Sequence, residues 1–192
     1  MSNNEIIIKN ELSQLLIENI NNEYTFNQLI LNGADVNYQN TNGWAALFEI
    51  IIKNENEKLK ELITLGVNIH QRDKETRNAL FWAIYSLNDK AFDILLNENI
   101  DLNVYLKDKL HAFHYSIYKG KIEYVEKFLE LGVDINFSDH LEANGLFYAV
   151  LYKHYDLVRF LLDKGANMYQ KDIFGNTADK QAKEYGINLN EL

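Results

Sequence analysis

Apolar residues recur at helical spacing in several segments of the chain. Three such segments are marked by Leu59, Leu62 and Ile63, by Val125, Phe128 and Leu129, and by Val158, Leu161 and Leu162. This spacing is typical of a helix that buries one face. Shorter helices are predicted over 45–53, 79–86, 112–119 and 145–152. The pattern therefore predicts an all-α chain built from pairs of helices.

The same short string returns along the chain at a constant interval. The strings Ala46-Leu47-Phe48, Ala79-Leu80-Phe81, Ala112-Phe113-His114 and Gly145-Leu146-Phe147 each begin 33 residues after the one before. Self-similarity at a period of 20 to 50 residues is the signature of a repeat protein. We therefore expect a stack of similar units without an insertion between them.

A second series keeps the same interval and marks the end of each unit. It consists of Gly33, Gly66, Asn99, Gly132 and Gly165. Glycine and asparagine tolerate the left-handed backbone conformation that follows many helices. Each 33-residue unit is thus predicted to run as turn, helix, short link, helix and turn.

With these two series, the chain resembles the ankyrin repeat family. The family pattern opens with Asp-x-x-Gly-x-Thr-Pro-Leu-His-x-Ala and closes with Gly-Ala-Asp-Val-Asn, and the nearest matches here are 33–37, 132–136 and 172–178. The resemblance implies a solenoid of stacked helix-turn-helix units with protruding turns, forming a single domain over 1–192. Its parts are an N-terminal unit at about 5–37, four full repeats at 38–70, 71–103, 104–136 and 137–169, and a C-terminal capping unit at 170–192.

The chain departs from the family pattern at the turns. It contains no proline, and only Thr177 and His114 keep the threonine and histidine of the pattern. In the family those two side chains lock neighbouring turns through hydrogen bonds. We therefore expect looser turns here, with His111 and His114 as turn-locking residues.

Composition and charge narrow the class of function. The chain has no cysteine, a formal net charge of −9 and no apolar run long enough to span a membrane. The acidic balance argues against nucleic acid as a partner, because binding to phosphates needs a surplus of lysine and arginine on one face. We expect a soluble cytoplasmic protein that is a monomer when free.

A search for chemistry gives no catalytic constellation. The glycines do not cluster as a phosphate-binding loop, and the paired His111 and His114 lack the further ligands that a metal site requires. Function has to be argued from a site, and the sequence offers none for catalysis. We therefore predict no enzyme activity, no cofactor and no metal.

The resemblance implies that partners bind the concave face, which turn tips and first helices line. The chain places apolar and aromatic residues and one arginine at such positions, and aromatic residues and arginine dominate the energetics of protein interfaces. The predicted partner-binding residues are Trp44, Arg77, Tyr85, Leu110, Tyr118, Leu141, Tyr152 and Phe174. Trp82, Tyr115 and Tyr148 occupy a neighbouring position and are predicted to be mostly core.

The first hypothesis is a non-catalytic protein that binds a protein partner through this face. One concrete version is an immunity or inhibitor protein that neutralises a basic toxin or nuclease, because an acidic binder complements a basic target. An adaptor or effector of a host-associated microbe or virus is the other version. An enzyme built on the same fold is the least favoured class.

Overall fold

The computed structural model describes residues 3–105 and 110–192, which divide into two compact units. The first unit, 1–104, contains the helices α1 (Asn3–Glu18), α2 (Glu23–Leu31), α3 (Ala46–Ile52), α4 (Asn56–Thr64), α5 (Ala79–Ser86) and α6 (Asp89–Asn97). Here α1 packs on α2 and α3, α3 on α4 and α5, and α6 on α4 and α5. Neighbouring helix pairs thus lie side by side, as a repeat solenoid requires.

The second unit, 105–192, continues the same order of elements. It contains α7 (Ala112–Tyr118), α8 (Ile122–Glu130), α9 (Gly145–Leu151), α10 (Tyr155–Asp163) and α11 (Ala178–Glu184), followed by a 3-10 turn at Leu189–Glu191. In this unit α7 packs on α8 and α9, and α9 packs on α10 and α11. The first helix of each pair therefore packs on the second helix of its own repeat and on the first helix of the next repeat.

The helices begin and end where the sequence pattern predicts. The four predicted first helices agree with α3, α5, α7 and α9 to within one residue at each end. Their inward residues form the core of each unit, and Leu47, Leu80, Phe113 and Leu146 are completely buried at the same repeat position. The all-helical prediction is confirmed for the described residues, in which only isolated bridges interrupt the helical pattern.

Left-handed backbone recurs at fixed positions in the repeat. The series that ends second helices has positive φ throughout, at Gly33, Gly66, Asn99, Gly132 and Gly165. Two further series lie between the paired helices, at Asn54, Leu87, Gly120, Lys153 and Gly186, and at the turn tips, at Gly43, Thr76, Glu142 and Gly175. The sequence marks only the first series throughout, because the other two also hold Leu87, Lys153, Thr76 and Glu142, whose side chains rarely adopt this conformation.

Asparagine replaces threonine at the start of two first helices, α5 and α9, and this corrects the expectation of looser turns there. Asn78 and Asn144 each accept a hydrogen bond from a backbone N–H of the helix that follows. Each also donates its side-chain N–H to a carbonyl oxygen of the next turn, on Asp101 and Asn167 respectively. Ala45, the equivalent residue before α3, makes no such cap.

The last helix differs from a simple polar cap. Asp179 occupies the repeat position of the buried Leu146 and is itself only 8% exposed. It forms an ion pair with Lys183 at 2.7 Å, one helical turn later. Lys180, Lys183 and Glu184 are exposed. The outward surface of α11 therefore carries several charged side chains.

Candidate partner-binding surfaces

The first unit carries a group of aromatic side chains that we call the tryptophan patch, defined as Trp44, Arg77, Trp82 and Tyr85. Trp44 precedes α3 and Arg77 precedes α5, so both belong to turns, whereas Trp82 and Tyr85 lie on one side of α5. Residues three apart on a helix are neighbours on its surface. The turns and this helix side therefore meet at one place.

Trp82 is the centre of the tryptophan patch. Its ring centroid lies 4.8 Å from that of Trp44 and 5.3 Å from that of Tyr85, both in edge-to-face geometry. The Arg77 guanidinium lies 4.4 Å from the centre of the Trp82 ring. Such contacts hold rigid aromatic surfaces in place before any partner arrives.

The members of the tryptophan patch differ in how much surface they present. Tyr85 is 49% exposed, while Trp44 and Arg77 are half-buried and Trp82 is buried. Trp44 also donates its indole N–H to Glu49, at 3.1 Å. Tyr85 is therefore the most available aromatic residue here, and the prediction that Trp82 belongs mostly to the core is confirmed.

The second unit carries a tyrosine cluster, defined as Tyr115, Tyr118, Tyr148 and Tyr152. Tyr115 and Tyr118 stack at 5.6 Å on one helix, α7, and Tyr148 stacks on Tyr152 at 6.1 Å at the end of α9. Tyr118 and Tyr152 join the two pairs in edge-to-face contact at 5.0 Å. Packing of α7 against α9 thus brings four phenol rings into one connected group.

Exposure within the tyrosine cluster alternates between its members. Tyr118 and Tyr152 are 48% and 40% exposed, and Tyr115 and Tyr148 are half-buried behind them. The prediction that Tyr115 and Tyr148 are mostly core is therefore only partly right, because each ring supports an exposed partner. Their spacing of three or four residues from Tyr118 and Tyr152 was the available signal.

Two tyrosines of the cluster have raised pKa values. Partial burial raises the pKa of Tyr148, and its hydrogen bond to the Asp139 carboxylate acts in the same direction. Burial also raises the pKa of Tyr152, assisted by Tyr118 and Asp139. Both phenols are therefore neutral hydrogen-bond donors near neutral pH. Asp139 is a functional candidate that sequence reasoning missed.

The other predicted binding residues lie at turn tips. Phe174 is 73% exposed, whereas Leu110 and Leu141 are half-buried. The Leu141 carbonyl accepts a hydrogen bond from the Ile173 N–H at 2.9 Å, which ties neighbouring turns together. Phe174 thus offers the largest apolar surface among these three residues.

The two central histidines are structural in different ways. His111 accepts a hydrogen bond from the Phe113 N–H through Nδ1, so its role in the turn is confirmed. His114 is 1% exposed and neither ring nitrogen has a hydrogen-bond partner among the described residues. Burial lowers its pKa to about 4, although Asp139 and the backbone of Phe137 and Ala143 act against this. The His114 ring therefore faces the backbone of Phe137 and Ala143 in the next turn, and its turn-locking role stays a prediction.

The described residues contain no group of three or more metal-ligating side chains. Within them, no helix has the length and apolar character needed to cross a bilayer. What the two units do present is aromatic surface on first helices and adjoining turns. Contiguous exposed apolar surface of this kind is typical of a protein interaction site.

Comparison with known families identifies the fold. The family model described as ankyrin repeats (3 copies) matches residues 13–106 and 90–172. The chain therefore belongs to the ankyrin repeat family, whose members generally mediate protein–protein interaction and are typically non-catalytic. No curated protein gives a significant match to the chain.

Proposed function

We propose that this protein binds a protein partner through the turn tips and first helices of its repeats. The tryptophan patch and the tyrosine cluster are the two anchor regions. The observation that carries the proposal is the partial exposure of Tyr85 and Tyr118, the same repeat position in neighbouring repeats, each held against other aromatic rings.

Preorganisation supports binding at these positions. An aromatic side chain that is already packed on its neighbours loses little conformational entropy when a partner covers it. Tyr85 packs on Trp82 and Phe81, and Tyr118 packs on Tyr115 and Tyr152. Both residues therefore have the properties of interface hot spots.

Charge supports a finer form of the proposal, in which the partner is basic and the protein inhibits it by covering its active surface. The net charge of −9 would speed and orient association with a positively charged target. An immunity protein against a basic toxin or nuclease would act in this way. An adaptor or effector would instead keep its partner active after binding.

The test uses affinity capture from the cells that produce the protein. The variant Tyr85→Ala/Tyr118→Ala is compared with Tyr24→Ala/Tyr155→Ala, whose tyrosines are 76% and 40% exposed on the second helices α2 and α10. We expect the first variant to capture at least tenfold less of a dominant partner than the wild type captures. The second variant should capture as much as the wild type.

Two readouts make that result decisive. Circular dichroism has to show that both variants keep the helical content of the wild type. Equal retention of the partner by the Tyr85→Ala/Tyr118→Ala variant, or its loss in the control variant alone, would place the binding surface on another face. Activity of the purified partner with and without this protein then separates inhibition from recruitment.

A further inference from the structure

In four turn tips that the structure describes, the first residue holds the turn in the same way. Its Oδ1 accepts hydrogen bonds from the N–H groups two and four residues later, at 2.8–3.1 Å. This geometry is found at Asn40, Asp73, Asp139 and Asp172. The turns therefore differ mainly in what the second side-chain atom contacts.

At Asp73 the chain supplies its own cation. Asp73 Oδ2 accepts from Arg77 Nε at 2.7 Å, and the Asp73 side chain is only 1% exposed. The same guanidinium lies over the Trp82 ring. One arginine thus neutralises a buried carboxylate and covers an aromatic face.

Two repeats later the same positions hold Asp139, Ala143 and Tyr148. The Asp139 side chain is again 1% exposed, but Ala143 offers no charge. Asp139 Oδ2 accepts from the Tyr148 hydroxyl at 2.5 Å, and His140 Nδ1 lies 3.8 Å away and is charged only when protonated. The position of Arg77 has no cationic counterpart in this turn.

The Asp139 carboxylate acts on the aromatic surface through Tyr148. A phenol that donates a hydrogen bond to a carboxylate becomes richer in electron density, which strengthens the negative face of its ring. Tyr148 stacks on Tyr152, which is exposed and touches Tyr118. The exposed side of the tyrosine cluster is therefore an aromatic surface backed by a buried negative charge.

We propose that the tyrosine cluster binds an arginine side chain of the protein partner. The inference rests on the proposed function and names the chemistry that one of its two anchor regions recognises. A planar guanidinium stacks on aromatic rings better than an ammonium does. The guanidinium stacks on the exposed rings of Tyr118 and Tyr152, and the buried charge of Asp139 lies behind them.

A selection from a displayed random peptide library tests this assignment. The wild type is compared with Asp139→Asn, which removes the charge and keeps the Oδ1 acceptor that Asn40 supplies in its own turn. Glu123→Gln is the matched control, because it removes one exposed negative charge from α8 in the same unit. A third variant, Ala143→Arg, gives the Asp139 carboxylate a guanidinium of its own chain, as Arg77 does for Asp73.

We expect wild type and Glu123→Gln to enrich peptides that contain arginine. Replacing that arginine by citrulline, a neutral side chain of the same shape, lowers the affinity of a selected peptide about tenfold. Asp139→Asn and Ala143→Arg lower the affinity for the arginine peptide to a similar degree. Tyr152→Ser, an exposed substitution, does the same without altering the turn.

Selected peptides without arginine, or equal binding of citrulline peptides, would overturn the inference. Equal loss in Glu123→Gln would also overturn it, because the net charge alone would then account for the preference. Peptides that lack arginine but depend on Tyr118 and Tyr152 leave the proposed binding function standing. Loss of both the arginine preference and the dependence on these tyrosines counts against the proposed function as well.

Discussion

Asn136 accepts a hydrogen bond from the backbone N–H of Asn167, 2.7 Å away in the following repeat. Asn37 makes the same bond to the Asn68 N–H, and His70 Nδ1 replaces it with a bond to the Asp101 N–H. These three acceptors occupy one repeat position. Successive repeats within each unit are therefore joined by a side-chain contact as well as by their buried faces.

Removing that contact is expected to weaken the link between repeats. We predict that Asn136→Ala lowers the free energy of unfolding by about 1 kcal/mol, because one side-chain hydrogen bond to the backbone is lost. Urea denaturation followed by circular dichroism measures the change. Asn42→Ala, at an exposed turn position, is the control and should remain near the wild type. Equal stability of both variants would show that the bond adds nothing to folding.

The start of α3 lacks the side-chain cap that other first helices have, because the buried Ala45 occupies that position. Ala45 has φ −128° and ψ 158°, and Thr177, which caps α11, has φ −135° and ψ 159°. We predict that Ala45→Thr is more stable than Ala45→Val by about 1 kcal/mol, because only threonine offers a capping oxygen. The two side chains have nearly the same shape, so their difference in thermal or urea unfolding isolates the hydroxyl group. Equal values would mean that the introduced threonine does not cap α3.

The helices and their ends were predictable because the repeat amplifies a weak local signal. Gly33 and Gly132 mark helix ends by residue type alone, and the structure places them in the left-handed region. Leu87 and Lys153 adopt the same backbone region with φ of 55° and 60° but give no such signal. At these positions the packing of the repeat overrides the local preference of the residue.

Strain at a turn tip can be relieved. Glu142 has φ 60° at the repeat position that glycine holds at Gly43 and Gly175. We predict that Glu142→Gly raises the free energy of unfolding by up to about 1 kcal/mol, because glycine adopts this conformation without the clash of a Cβ atom. Glu142→Ala keeps the Cβ atom and serves as the control. If both substitutions change stability equally in urea titrations, the side chain rather than the backbone sets the effect.

The candidate site was only partly predictable from the sequence. Tyr85 and Tyr118 were identified because the family resemblance implies that their repeat position on the first helix faces outward. The connection between Tyr148 and Asp139 was not, because it joins a turn to a helix through a side-chain hydrogen bond. The contacts of Arg77 with Asp73 and Trp82 were likewise not predicted, and its role in binding a partner stays a prediction.

The buried His114 predicts how stability depends on pH. Burial lowers its pKa from 6.5 to about 4, so the folded state disfavours the protonated ring. Between these two values the unfolded chain binds more protons than the folded protein. The contribution of the neutral His114 to the free energy of unfolding is therefore fully present above the unfolded pKa. It falls as the pH drops through this window and is lower by about 2 kcal/mol at about pH 5.

Comparison with His114→Leu isolates this contribution, since leucine suits the buried position and does not titrate. We predict that the wild type loses about 2 kcal/mol more than His114→Leu when urea unfolding is repeated at about pH 5 instead of about pH 7. His140→Asn is the control. It removes an exposed histidine of the same unit and leaves His114 in place. Parallel pH profiles for the wild type and His114→Leu would mean that the folded protein protonates His114 as readily as the unfolded chain does.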